Sequence, residues 1–167
     1  MYHNCVQLCL VSSAPVPSGV ELAVSSVASA GVGLRATRSF SEGEVVFEEK
    51  RLLTVDEKDN QATSIDTLNA SVKDCVRALS VKEQRDLYRL HSAGTMQGAC
   101  RELSILSTNC AGTSDGASNL FLFYSRLNHS CAANVQCTWI VRVQRMRIVA
   151  LRPISAGEEL LLSLIHI

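Results

Sequence analysis

No run of 18 or more apolar residues occurs in the 167-residue sequence, so no membrane-spanning helix is expected. An excess of one charge is also lacking, since 16 Lys and Arg balance 16 Asp and Glu. That neutrality excludes a nucleic-acid binder relying on bulk basicity, and it excludes an acidic solvating tail. Seven cysteines stand at 5, 9, 75, 100, 110, 131 and 137, with no C-x-x-C pair among them. An odd number at irregular spacing is a poor disulfide framework and a poor zinc site. They read as reduced thiols in a reducing compartment. Signal-peptide character is missing too: the apolar stretch Val6 to Val11 is short, interrupted by Gln7, and preceded by no Lys or Arg. The sequons at Asn69 and Asn128 are therefore expected to carry no glycan, and the nucleus or cytoplasm is the expected location. What remains is 47% hydrophobic and 19% charged, enough for one packed domain.

Residues 1–19 end in Ser12-Ser13-Ala14-Pro15-Val16-Pro17-Ser18-Gly19, which is linker composition and expected to be disordered. Val20, Leu22 and Val24 then alternate with Glu21 and Ala23, the period of a half-buried strand. Gly31-Val32-Gly33 breaks that run, and Val45-Val46-Phe47 is a second strand after the turn Ser41 to Glu44. Residues 56–70 are polar and read as a loop. Val72, Val76, Leu79, Leu87 and Leu90 predict one or two short helices up to His91. Strands are expected again over Leu120 to Tyr124, Ala133 to Val143 and Met146 to Leu151. Gln144-Arg145 is placed as a hairpin turn, with Val141 and Val143 facing Met146 and Ile148. The predicted fold is mainly β, many short strands around a small helical insert at about 56–110. A local echo links Ala36 to Glu44 with Ala150 to Glu158: each reads strand, arginine, then an S-x-G-E turn.

Ser125-Arg126-Leu127-Asn128-His129-Ser130-Cys131-Ala132-Ala133-Asn134 packs polar side chains beside an apolar strand. Such a cluster holds a ligand or forms a self-satisfied chain crossing, and both readings stay open. His129 and Cys131 could share one face, but no orienting acid is evident for a nucleophilic pair. Gly31-x-Gly33 permits close backbone approach, yet it lacks the third glycine of a dinucleotide site. Arg142, Arg145, Arg147 and Arg152 read as a solvated strand face, with Arg142 and Arg147 on one side, and Trp139 reads as core.

Together these segments resemble a SET domain, the fold of many protein-lysine methyltransferases. Gly31-Val32-Gly33-Leu34-Arg35-Ala36-Thr37 resembles the family's G-x-G-L-x-A-T strand. Ser125 to Cys131 matches its S-R-[IL]-N-H-S-C form, and Ala150 to Leu160 resembles A-x-R-x-I-x-x-G-E-E-[LI]. The likeness covers about residues 20–163, and the domain itself is taken as 20–161. Thr108-Asn109 and the helical insert are most similar to the SET-and-MYND group, without a visible MYND finger. The resemblance implies methyl transfer from S-adenosyl-L-methionine to a lysine amine by in-line displacement, with no metal. Alignment and a deprotonated amine matter most there, and a cationic sulfonium with an apolar channel lowers the lysine pKa from about 10.4. It implies that Gly31 and Gly33 bring backbone to the cofactor, that Asn128 and His129 hold its two ends, and that Asn109 adds a contact. Arg126 supports the site, and Tyr124 lines it. The implied partner is a protein with a target lysine, a histone among the candidates; direct nucleic-acid or membrane contact is not expected, and the chain is expected to be a monomer.

Two departures stand out. Ala133 replaces the proline of N-H-S-C-x-P-N. More seriously, the family's catalytic tyrosine, counted from Gly157, falls at position 164, which is Leu164 here. Leu162-Ser163-Leu164-Ile165-His166-Ile167 is also what CTG-TCT-CTT-ATA-CAC-ATC encodes, a string similar to a transposase adapter of sequencing libraries. Residues 162–167 are accordingly expected to be a non-native tail, with the C-terminal pseudoknot segment missing and the chain as written inactive. The alternative is a SET-derived module that binds proteins without methyl transfer.

Overall fold

A computed structural model describes residues 14–27, 30–55, 64–94 and 96–163. Most of the predicted linker 1–19, part of the predicted loop 56–70, and residues 164–167 of the tail lie outside the described residues. The chain divides into two units, Met1–Lys50 with Arg126–Ile167, and Arg51–Ser125. Among the described residues no helix is long and apolar enough to cross a membrane.

In the first unit, β1 (Val20–Val24) pairs antiparallel with β2 (Val32–Ala36). A five-stranded sheet runs in the order β3 (Val45–Lys50), β9 (Arg145–Ala150), β8 (Val135–Ile140), β10 (Leu161–Leu162), β7 (Asn128–His129). Alternation drives the β3–β9–β8 part. Phe47, Met146 and Ile148 are buried on one face, while Glu48, Lys50, Thr138 and Arg147 reach the other, where Arg147 pairs with Glu48 at 2.6 Å. β10 is parallel to both neighbours, with Leu161 opposite Asn128 and Leu162 opposite His129 and Val135.

The echo is a structural symmetry. Phe40 and Ile154 exchange both backbone hydrogen bonds at 2.9 Å. The Ala36 N–H donates to Glu158 O at 2.9 Å, and its counterpart Ala150 donates to Glu44 O at 3.0 Å. Gly157 N–H donates to Ala36 O at 2.8 Å, and Gly43 N–H to Ala150 O at 2.9 Å. Each turn is closed alike. Arg38 meets Glu44 at 2.7 Å, Arg152 meets Glu158 at 2.6 Å, and each glutamate accepts the backbone N–H of its own turn's serine. The glycines Gly43 and Gly157 take φ of 77° and 86°, the left-handed region where a Cβ is penalised. Two nine-residue segments thus clasp each other about a local two-fold, which aims the chain after Glu158 along β2 and into β10.

The second unit contains the helical insert: β4 (Leu53–Val55), α1 (Ile65–Arg77), α2 (Val81–Leu87), α3 (Arg101–Asn109), β5 (Ala111–Gly112) and β6 (Ser118–Leu120). Ser64 caps α1, Ser80 and Glu83 form a capping box on α2, and Cys100 caps α3 through its sulfur. Leu53, Val72, Val76, Leu87, Ile105 and Leu120 make its core.

Several expectations are corrected. Residues 65–70 belong to α1, because the Ser64 cap starts the helix before its first buried residue, Val72. Helix α3 was not foreseen as a separate element. The strand expected over Leu120 to Tyr124 ends at Leu120, and Tyr124–Arg126 is a 3-10 turn. The hairpin register is also different. Val141 and Val143 sit exposed in a 3-10 turn ended by Gln144 at φ 52°, so Trp139 faces Met146 and Cys137 faces Ile148. A three-residue helical turn consumes the residues that simple alternation would have paired. Trp139 is half-buried rather than fully core.

Candidate functional site

The chemistry-bearing residues of the first unit converge where β7, β10 and the β1–β2 hairpin meet. Gly31 precedes β2 at φ 74°, its carbonyl accepting the Ser25 N–H at 2.9 Å, and among the described residues no other group stands within 4 Å of where its Cβ would be. Backbone is therefore open to a ligand there. Gly33 has the opposite reason for being glycine. A Cβ at that position would lie 2.5 Å from Glu159 Oε1 and 2.8 Å from Asn128 Nδ2.

Glu159 is buried and fully engaged. Its Oε1 accepts Ser25 Oγ–H at 2.6 Å and Asn128 Nδ2–H at 2.9 Å. Its Oε2 accepts the Ser26 backbone N–H at 2.6 Å and the Ser26 hydroxyl at 2.5 Å. Burial pushes the carboxyl upward, but the hydrogen bonds from Asn128, Ser25 and Ser26 outweigh it and hold Glu159 below the ordinary glutamate range. A depressed folded value means stability that is present above the unfolded value and lost as pH falls through the folded one. Melting temperature is therefore expected to drop on acidification below about pH 4.3. Thermal melts from pH 7 to 3 test this: the acid limb should be shallower in Glu159→Gln, and superposable relative slopes would refute it.

His129 is exposed on β7, and its Nδ1–H donates to Leu162 O at 3.2 Å, which leaves Nε2 to meet Cys131 Sγ at 3.8 Å. The Ser130 N–H shares that carbonyl at 3.0 Å. A backbone carbonyl therefore orients the ring. Cys131 is exposed, whereas burial pushes the Cys110 thiol up to about 12.

Asn134 is fully buried and ties the segment together. Its Oδ1 accepts Leu161 N–H at 2.8 Å, and its Nδ2 donates to Glu159 O at 2.8 Å and Glu158 Oε1 at 2.9 Å. Its backbone N–H donates to Leu161 O and its carbonyl accepts Leu151 N–H. Ala133, at the family's proline position, leaves this arrangement closed: Ala132 N–H turns back onto Ser130 Oγ at 3.1 Å.

Gly31, Gly33, Asn128 and His129 thus share one locality, and Arg126 is half-buried at the end of the 3-10 turn that leads to β7. Asn109 lies in the second unit, where its Nδ2 donates to His91 O and Ile105 O, both at 2.7 Å. Tyr124 is buried there and packs edge-on against Phe121 at 5.9 Å between ring centroids. Glu159, Ser25 and Ser26 were not singled out from the sequence. Glu159 was visible as a carboxylate inside an apolar strand approach, while nothing local marked the two serines. Among the described residues no group of three His, Cys, Asp or Glu side chains could hold a metal ion.

Comparison with known proteins gives a consistent result. The family model described as SET domain matches residues 31–163. Histone-lysine N-methyltransferase set5 of Schizosaccharomyces pombe is 34% identical over 103 residues, 59% of this chain and 31% of that protein. The chain therefore spans about a third of that relative's length. Among solved structures, a candidate histone methyltransferase of Plasmodium falciparum superposes with a TM-score of 0.52 at 15% identity, covering 91% of this chain and 97% of that one. The apo form of Chaetomium thermophilum Polycomb Repressive Complex 2 gives 0.52 at 17% identity over 89% of this chain and 15% of that one. At these identities the structural likeness concerns the fold, mostly β-sheet with few helices.

Proposed function

Because the chain belongs to the SET domain family, we propose that it is an S-adenosyl-L-methionine-dependent protein-lysine N-methyltransferase domain. The observation that carries this is the laying of β7, with Asn128 and His129, parallel against β10, with Asn128 beside Gly33 of β2. The locality suits a zwitterionic nucleoside ligand. The Gly31 backbone is open to approach, and among the described residues Asn128 Oδ1 accepts no hydrogen bond and can accept one from an ammonium group. When bound, the cofactor supplies an electrophilic methyl on a sulfonium.

The remaining roles fall to this chain's own residues. Gly31 and Gly33 present backbone, Asn128 and His129 hold the two ends of the ligand, and Arg126 supports the loop. Such a site acts by alignment rather than by acid or base catalysis. The substrate is a lysine of a protein; a histone is the first to try, given what the fission-yeast relative's name says it modifies. We place the chain in the SET-and-MYND-like group, as a monomer acting in the nucleus or the cytoplasm.

Titration calorimetry with S-adenosyl-L-methionine, followed by methyl transfer to core histones, tests the reading. Saturable one-to-one binding is the expected result, and no heat at any concentration up to millimolar would sink it. Leu164 at the tyrosine position favours a second reading, a module that binds protein without turnover. Cofactor binding with no transfer by the chain as written, and a genomic codon for leucine at 164, would select that alternative. A genomic tyrosine codon there would select the enzyme.

A further inference from the structure

Glu159 accepts four hydrogen bonds, yet no catalytic or binding duty falls to it in the reading above. We propose that Glu159 is a positioning residue that sets the direction of the Asn128 amide and so makes the site selective for ligands carrying an ammonium group. The proposal rests on the reading of the chain as a domain that binds S-adenosyl-L-methionine.

The reasoning is one of donors and acceptors. An ionised carboxylate can only accept, so the end of the Asn128 amide facing Glu159 must be Nδ2, as found at 2.9 Å. The other end, Oδ1, then points away as an acceptor, the polarity a cation needs. The depressed carboxyl of Glu159 keeps it in the accepting state at neutral pH. Gly33 makes the contact possible, because its missing Cβ is the space in which Glu159 Oε1 and Asn128 Nδ2 meet.

Glutamine at 159 would turn the network over. The Ser26 backbone N–H at Oε2 cannot rotate and demands an acceptor, so the new amide oxygen must stay on that side. The new amide nitrogen then replaces Oε1 and confronts Asn128 Nδ2, donor against donor. Asn128 relieves this by flipping, which turns its NH2 toward an incoming ammonium. The serine hydroxyls can rotate and follow either arrangement.

The test compares two probes on wild type and Glu159→Gln: S-adenosyl-L-homocysteine, which carries the ammonium, and 5′-methylthioadenosine, which does not. The variant is expected to bind the first about tenfold more weakly and the second within about twofold of wild type. Equal weakening of both would show a merely structural role, and no weakening of either would remove the role altogether; both overturn the proposal. Side-chain nitrogen NMR of Asn128 in the unliganded wild type supplies a measurement independent of the variant's folding. Its NH2 resonances are expected to move as Glu159 is protonated, and comparison with Glu159→Gln separates that movement from effects of neighbouring His129 and Glu158. Arg35 stands opposite Glu159 across a strand bridge. If wild type binds neither probe, the cofactor reading fails while the NMR still decides the orientation. Asn128 resonances that stay unmoved while the Glu159 carboxyl carbon shift records its protonation overturn the proposal.

Discussion

Gly33→Ala is expected to abolish measurable cofactor binding and to destabilise the first unit by about 1–3 kcal/mol, the usual range for overpacking. The new methyl would sit 2.5 Å from Glu159 Oε1 and 2.8 Å from Asn128 Nδ2. Neither group can step aside cheaply, since Glu159 is also bound to Ser25 and Ser26. Gly31→Ala is the internal control. Among the described residues no group crowds that position, and the penalty is backbone strain at φ 74°, about 1 kcal/mol. A double mutant, Gly33→Ala with Glu159→Ala, removes the clashing carboxylate and should recover part of the lost stability, a non-additivity read from denaturant midpoints. Additive effects, or a Gly33→Ala protein that binds S-adenosyl-L-methionine like wild type, would show that the close approach is not what the glycine is for.

Asn134→Ala is expected to cost about 3 kcal/mol, since it leaves the Leu161 N–H and the Glu159 carbonyl without their side-chain partner. For a chain of this length that is a fall in melting temperature of roughly 6–12 °C. The loss should not stay local. Asn134 joins the end of the Ala150–Glu158 segment to β10, and β10 carries β7 with Asn128 and His129. Cofactor affinity should therefore fall with stability. Hydrogen exchange supplies the spatial readout: Leu161 and Ser130 amides are expected to lose protection in the variant. A change within about 0.5 kcal/mol, the scatter of ordinary surface substitutions, would mean the network is replaceable by water.

The local two-fold of residues 36–44 and 150–158 shows why a modest sequence repeat mattered. Strand, arginine and S-x-G-E turn could each be read from the chain, because a turn glycine and an i to i+3 Ser–Glu contact are local physics. That the two copies would clasp each other was not readable, since their mutual hydrogen bonds join residues more than 100 positions apart. The hairpin at 141–146 failed for the converse reason. Alternation predicted a tight turn at Gln144-Arg145, but Val141–Val143 formed a helical turn and moved the register toward Trp139 and Met146. In the insert, the periodicity from Val72 onward showed helices. Helix α3 escaped because four consecutive residues, Leu103 to Leu106, are buried, which erases the one-sided pattern a surface helix displays.

Composition, the two glycines of G-x-G and the N-H-S-C and G-E-E blocks by themselves determined the fold class, the family and most of the cofactor-site candidates. Those are properties of short segments, and short segments report their own turns, strands and polar clusters. Tertiary structure alone decided that Glu159 belongs with Ser25, Ser26 and Asn128, that Asn134 is the buried tie, and that Gly33 is glycine for lack of space. Each depends on which distant donor meets which acceptor, and Asn128 lies 31 residues from Glu159 and Ser25 134 residues from it. A buried carboxylate is stable only where such donors arrive together, and that meeting is made by the packing of strands rather than by any local sequence.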